Sequence, residues 1–282
     1  MTIVRIGGVP EHFNLPWHYA LEKNWFAEKK IDLQWTDYPG GTGAMNKDLR
    51  SGMLDAAVIL TEGIVADILN GNDSKIVQWY VKSSLVWGIY TSLDSDILND
   101  QQFAEKKYAI SRYGSGSHLM AFVDAHQRGL EIKPDQFVVV NNLEGAAKAL
   151  TAGEADLFMW EKFMTKPLVD NGTFRKVGEC PTPWPSFVIV VRNEFLQQNQ
   201  GIISEMLRII QKSCKEFASL SDATERIAQR FNLRIPDAKE WIKSVQWQTE
   251  PDFDTQPLEE VMDTLLKLKI IEKGKSAKEF TI

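Results

Sequence analysis

"LTAGEAD", Leu150–Asp156, repeats the spacing of "LRSGMLD", Leu49–Asp55: a Leu, two residues, a Gly, two residues, an Asp, and then an apolar run. In each copy the Leu packs the last turn of a helix and the Gly supplies the left-handed backbone that ends it. The Asp then stands at the turn into a buried strand. Such helix-to-strand corners are common in α/β proteins, so the surroundings decide what this one means. Each copy lies in a β-α-β-α-β series and is preceded by a Gly-Ala pair, Gly43-Ala44 or Gly145-Ala146. Each is followed beyond its strand by a glutamate, Glu62 or Glu161. Two similar α/β lobes are expected.

Working outward, "TIVRIGG" reads as a strand and "WHYALEKNWFAEKK" as a helix with apolar positions at Trp17, Ala20, Leu21, Trp25 and Phe26. "IDLQWTDY" is a second strand, "AMNKDLRSG" a short helix and "DAAVIL" a compact buried strand. "TEGIVADILNG", "KIVQWYV" and "VWGIYTS" add a helix and two strands. The second series runs "KKYAIS", "GSGSHLMAFVDAHQRGL", "DQFVVVNN", "LEGAAKALTAG" and "DLFMW". After "PSFVIVVRNEF" the strands stop. "IISEMLRIIQKSCKEF" has the spacing of an amphipathic helix. "DATERIAQRF" and "DAKEWIKSV" each begin with Asp and carry Glu three residues on, a capping-box variant, and "PLEEVMDTLLKLKII" is a last helix. No long flexible linker is present, so the lobes are expected to be joined by tight crossings at "WGIYT" and "SFVIVV". The expected division is residues 1–88 with 190–282 as lobe I and 89–189 as lobe II.

The chain has 282 residues, 44% of them hydrophobic and 25% charged, ordinary values for a folded protein of two domains. A net charge of −6 without a basic cluster argues against a nucleic-acid partner. A small-molecule ligand is the expected partner, and no apolar stretch is long enough to insert into a membrane. Cys180 and Cys214 have neither disulfide-framework nor metal-ligand spacing and read as free thiols. No metal, cofactor or catalytic set is expected, and the oligomeric state is left open. The N-terminus lacks the apolar core of an export signal. The cytoplasm is therefore the expected location, with the periplasm, and a transporter partner, as the alternative if a leader has been removed.

"VRIGG", "LEKNWFAEKKIDLQWTDYPGGTGAMNKDLRSGMLDAAVI", "SRYGSGSHLMAFVDA", "LEGAAKALTAGEADLFMWE" and "PLEEVMDTLLKLKII" together resemble the type II periplasmic binding proteins. The branch resembled serves nitrate, alkanesulfonate and taurine transporters and includes thiamine-pyrimidine synthase-like proteins, and the chain is most similar to its leaderless intracellular members. The resemblance implies a two-lobed α/β fold. Each lobe is a mostly parallel sheet flanked by helices, two crossing strands join the lobes, and a ligand is held between them. It implies a solute-binding protein for a small polar ligand such as a sulfonate, another oxyanion or a thiamine-pyrimidine-like heterocycle. The alternative on the same fold is an enzyme, a thiamine-pyrimidine synthase-like protein or a small lyase. The synthase-like proteins carry closely spaced cysteines, which this chain lacks.

In open α/β sheets ligands bind beyond the carboxyl ends of the strands. Gly114, Ser115, Gly116, Ser117 and His118 stand where a helix begins, so free N–H groups and hydroxyls there would receive an oxyanion, or the serines simply cap the helix. Tyr38, Gly41 and Thr42 belong to a Gly-rich turn before a helix, with Thr42 a candidate N-cap. Thr61 and Glu62 follow a buried strand, and a carboxylate there would accept from an amine or ring N–H. Glu161 is its counterpart. His12 and His118 lie beside strand ends and either bind ligand or, as the lesser alternative, move a proton. Trp17, Trp160 and Trp184 fall at strand or loop ends and offer stacking faces, or fill cores. Arg112 and Arg192 are further anion partners.

Overall fold

The first sheet of the computed structural model, which describes residues 1–282, contains β1 (Thr2–Gly8), β2 (Ile31–Asp37), β3 (Ala56–Leu60), β4 (Ser74–Val81) and β10 (Phe187–Arg192). The second contains β5 (Val86–Ser92), β6 (Tyr108–Ile110), β7 (Phe137–Val139), β8 (Leu157–Glu161) and β9 (Phe174–Pro181). Their strand orders are β2-β1-β3-β10-β4 and β7-β6-β8-β5-β9. β1 runs parallel to β2 and β3, and β6 parallel to β7 and β8. β10 is antiparallel to both its neighbours, and so is β5. Each sheet is therefore mixed and follows one plan: second, first and third strands of a local series, one reversed strand, then the fourth.

The sheets belong to two units, Met1–Ser84 with Trp184–Ile282, and Leu85–Pro183. The chain passes from one unit to the other at Ser84–Leu85 and returns at Pro183–Trp184. "WGIYT" and "SFVIVV" are the first strands after these passages, and each takes the reversed place in the sheet it enters.

The repeated corner is the same structure twice. Helix α3 (Gly41–Ser51) ends at Gly52, φ +74°, and helix α6 (Leu143–Thr151) is followed by Gly153, φ +70°. Asp55 N–H donates to the Arg5 carbonyl, and its Oδ2 accepts from Arg5 N–H at 2.9 Å. Asp156 N–H donates to the Lys107 carbonyl, and its Oδ2 accepts from Lys107 N–H at 2.8 Å. The aspartate thus fastens the start of the third strand of each series to its first. The glutamates beyond do not correspond. Counted from the aspartate, Glu161 is the fifth residue and closes β8, whereas Glu62 is the seventh and lies in the first turn of α4 (Thr61–Leu69).

Every residue of β3 is buried, as a central parallel strand requires. The expected first helix is two, α1 (Leu15–Glu22) and α2 (Trp25–Glu28), because Asn24 adopts φ +59° between them. In the tail, α9 (Gln200–Ser219) buries Ile203, Met206, Ile209, Ile210, Cys214 and Phe217. The capping boxes expected at Asp222 and Asp237 do not form. Asp222 precedes α10 (Ala223–Phe231) without a side-chain cap and accepts from Arg226. Asp237 lies inside α11 (Ile235–Ser244) and accepts from Arg234.

Candidate functional site

In the second unit, the carboxyl end of β6 leads through Ser111 and Arg112 into α5 (Gly116–Gln127). Ser115 is the N-cap, accepting from His118 N–H at 3.3 Å, and Ser117 Oγ accepts from Ser111 N–H at 2.9 Å. Both serines are buried. Their hydroxyls hold the turn, so the groups left for a ligand are the N–H groups of Gly116 and Ser117, which find no acceptor in the chain. Gly114, φ +74°, donates its N–H to His118 Nδ1 at 3.1 Å. That bond leaves the proton of a neutral imidazole on Nε2, and burial pushes the His118 pKa down, keeping the ring neutral and a donor. Arg112 is half-buried, its side chain makes no ion pair or hydrogen bond, and burial lowers its pKa. An unpaired guanidinium in the turn before a 12-residue helix, whose start is the positive end of its dipole, can receive an anion.

The neighbouring strands supply aromatic groups. Trp160, half-buried at the end of β8, stacks on Phe158 with ring centroids 5.4 Å apart and meets Trp87 edge-on at 6.5 Å. The indole N–H of Trp87 is buried without an acceptor. Glu161 Oε2 accepts from the N–H groups of Phe163 and Met164 at 2.8 and 2.7 Å, so this carboxylate caps the turn after β8.

The first unit presents the opposite chemistry. Glu62 is fully buried, Oε2 accepts from the Trp184 indole N–H at 2.8 Å, and Oε1 has no partner. Burial raises its pKa to about 7 against the pull of its backbone N–H and Trp184. Thr42 is not a cap: α3 starts after Gly40 without one, and the Thr42 hydroxyl is buried and unpartnered. Its methyl lies against Gly63, where an added Cβ would come within 2.4 Å. One helical turn on, Asn46 Nδ2 donates to the Gly63 carbonyl at 3.3 Å while Oδ1 is buried and unpartnered. Thr61 is engaged, its hydroxyl donating to the Pro185 carbonyl at 2.6 Å. Tyr38 donates to Asp48 at 2.6 Å, and burial with that bond lifts its pKa to about 12. Gly41, φ +64°, opens α3.

Three expected residues sit apart from these strand ends. His12 is fully buried in an aromatic cluster with the tail, 4.2 Å from the Trp241 ring centroid and 5.5 Å from that of Phe231. Trp17 is a core residue of α1, stacked on Phe26 at 6.0 Å, and its face is not available for stacking a solute. Arg192 belongs to the opposite end of its sheet, where it approaches Asp55 at 3.6 Å and pairs with Glu194. Asn46 and Trp87 escaped sequence reading, and Arg112 was weighed only in passing. Nothing local marks them, since an orphaned polar atom exists only after packing.

A family model described as Ca3427-like PBP matches residues 87–180, inside the second unit. The Candida albicans CA3427 gene product superimposes with a TM-score of 0.93 at 27% identity, over 100% of this chain and 96% of that one. Its structure is described as defining a new family with the generic periplasmic binding protein fold. The chain shares the periplasmic binding protein fold. The alkanesulfonate-binding protein SsuA from Xanthomonas axonopodis pv. citri, bound to MOPS, shares the fold with a TM-score of 0.82 at 14% identity, covering 100% of this chain and 98% of that one. The nitrate-binding protein NrtA from Synechocystis PCC 6803 gives 0.71 at 14% identity, covering 99% and 84%. No curated protein matches the sequence. No helix of this periplasmic-binding-protein-like chain is long and apolar enough to cross a membrane.

Proposed function

We propose that the chain is a binding protein for a small organic acid. The observation that carries the reading is Arg112, half-buried and met by no carboxylate of the chain, in the turn that leads to the free N–H groups of Gly116 and Ser117. With the neutral His118 as a further donor, this set suits an oxyanion and little else. The fold supports the reading, because solved proteins that share it are named for binding alkanesulfonate and nitrate. The class proposed is a sulfonate or other oxyanion, including an acid-bearing heterocycle of the thiamine-pyrimidine kind, for which Trp160 supplies a ring face. The setting proposed is the cytoplasm, which suits two free thiols; fractionation of the native cell tests it.

A thermal-shift panel of alkanesulfonates, nitrate and thiamine precursors tests the function. A ligand at a hundred times its dissociation constant adds ~2.7 kcal/mol to stability, so a true hit raises the unfolding midpoint clearly. Arg112→Ala clearly reduces that rise at the same ligand concentration. A panel without a hit, or a hit indifferent to Arg112→Ala, contradicts the proposal.

A further inference from the structure

A cavity of about 330 Å³ opens in the first unit between α1, α9 and α10, a size that suits a small molecule. Its inner wall is apolar. Leu15 and Tyr19 of α1 and Phe217 of α9 are buried, and the Tyr19 and Phe217 rings meet edge-on at 6.1 Å. Its rim is basic, because α10 places Arg226 and Arg230 one helical turn apart on the face that it turns to the cavity.

The two arginines differ in what they hold. Arg226 is engaged: its Nε donates to Asp222 at 2.9 Å, and its Nη1 approaches Glu22 of α1 at 3.6 Å. Arg230 joins no ion pair, and its one hydrogen bond runs from Nη2 to His18 Nε2 at 3.4 Å. That imidazole brings no negative charge. Burial, and then Arg230 itself, lower the His18 pKa against the opposing pull of Asp37, so the ring is neutral, accepts on Nε2 and carries its proton on Nδ1. A cation in the last turn of α10 complements the helix dipole, which accounts for a charge at Arg230 but not for a cavity with aromatic walls beside it. The chain has 38 acidic side chains against 32 basic ones, yet it sets none of the 38 on this guanidinium.

We propose that this cavity is a second binding site, for a carboxylic acid of single charge with a short aromatic or aliphatic tail. The carboxylate is received by Arg230, whose planar fork can donate to both oxygens at once, and the tail rests on the wall of Leu15, Tyr19 and Phe217. One free guanidinium matches one carboxylate, since Arg226 is already met by Asp222 and Glu22. The site draws on neither Arg112 nor the start of α5, so it stands apart from the solute-binding reading.

A chemical-shift titration of the ¹⁵N-labelled full chain tests it, with 3-phenylpropionate as the probe and 3-phenylpropan-1-ol as its uncharged match. The expected result is saturable movement of the Tyr19, Gln229 and Arg230 amides, with the acid bound about tenfold or more tighter than the alcohol. Arg230→Gln, at an exposed position, should weaken the acid by about tenfold or more, and Arg112→Ala should leave it unchanged. The comparison of acid with alcohol needs no variant and holds whatever the replacement does to the fold. Unmoved amides, equal affinity for acid and alcohol, or undiminished affinity in Arg230→Gln overturn the proposal and leave the anion-binding function at α5 standing. Movement that disappears in Arg112→Ala overturns it as well, since the acid would then be held at α5.

Discussion

The two units share a strand order and a corner, yet the unmet polar groups at their strand ends are opposite in kind. In the second unit they are donors: Arg112, the N–H groups of Gly116 and Ser117, and the Trp87 indole. In the first, those of the α3–α4 junction are acceptors, Glu62 Oε1 and Asn46 Oδ1. A duplicated scaffold therefore carries different chemistry on its two copies, which teaches that the repeat fixes the frame while single residues on each frame set the chemistry.

The corners differ as well, and that difference sets the largest expected effect. Asp55 is buried and holds Arg5 through two side-chain bonds of 2.9 and 2.6 Å besides the backbone contact. Asp156 is half-buried and meets only the Lys107 backbone. Asp55→Ala removes three hydrogen bonds to one carboxylate and should cost about 3 kcal/mol, whereas Asp156→Ala should cost about 1 kcal/mol. Urea unfolding of both variants measures the gap, and equal losses would show that the two corners bear equal weight.

Next comes Glu62, whose pKa is raised to about 7 in the folded chain. A carboxyl group raised on folding favours the native state while protonated, so its contribution is complete below about pH 4.5 and is lost as pH rises through 7. Glu62→Gln removes that loss. Relative to wild type it should be level near pH 4.5 and more stable by up to about 3 kcal/mol at pH 8. A difference between the two proteins that does not change with pH would place Glu62 outside this account.

For ligand affinity, Arg112→Ala should weaken an oxyanion by about 10- to 100-fold, the range of a hydrogen bond to a charged group. The smallest effect is expected between the two threonines of the first unit. Thr61→Val loses the bond to the Pro185 carbonyl and should cost about 1–2 kcal/mol. Thr42→Val removes an unpartnered buried hydroxyl and should leave stability level or slightly raised. The reverse ranking would mean that Thr42 has a partner within the protein itself.

The frame was legible because its signals are local. A helix stop at Gly52 or Gly153, an aspartate three residues on and an apolar strand after it need no distant partner. The reversed strands β5 and β10 were legible as strands but not in their places, since each pairs with the sheet of the unit it enters. The site was legible in outline. Glu62 stood out as a carboxylate after a buried strand, but its partner Trp184 lies 122 residues away. Ser115 and Ser117 drew notice as ligand donors, whereas packing turned their hydroxyls inward and left the unpaired Arg112 as the group of consequence. His12 was misplaced because Phe231 and Trp241, which pack on it, come some 200 residues later in the chain, and Trp17 because Phe26, Trp35 and Tyr80 close around it.

The central claim is that an acid is received at the start of α5. The most direct test follows the ¹⁵N resonances of the Gly116 and Ser117 amides and of Arg112 Nε while butane-1-sulfonate is added. Saturable movement of all three, with the two amides of the Arg112→Ala protein moving only at about 10- to 100-fold higher sulfonate, is the predicted result. Binding of the sulfonate with those resonances unmoved would contradict it.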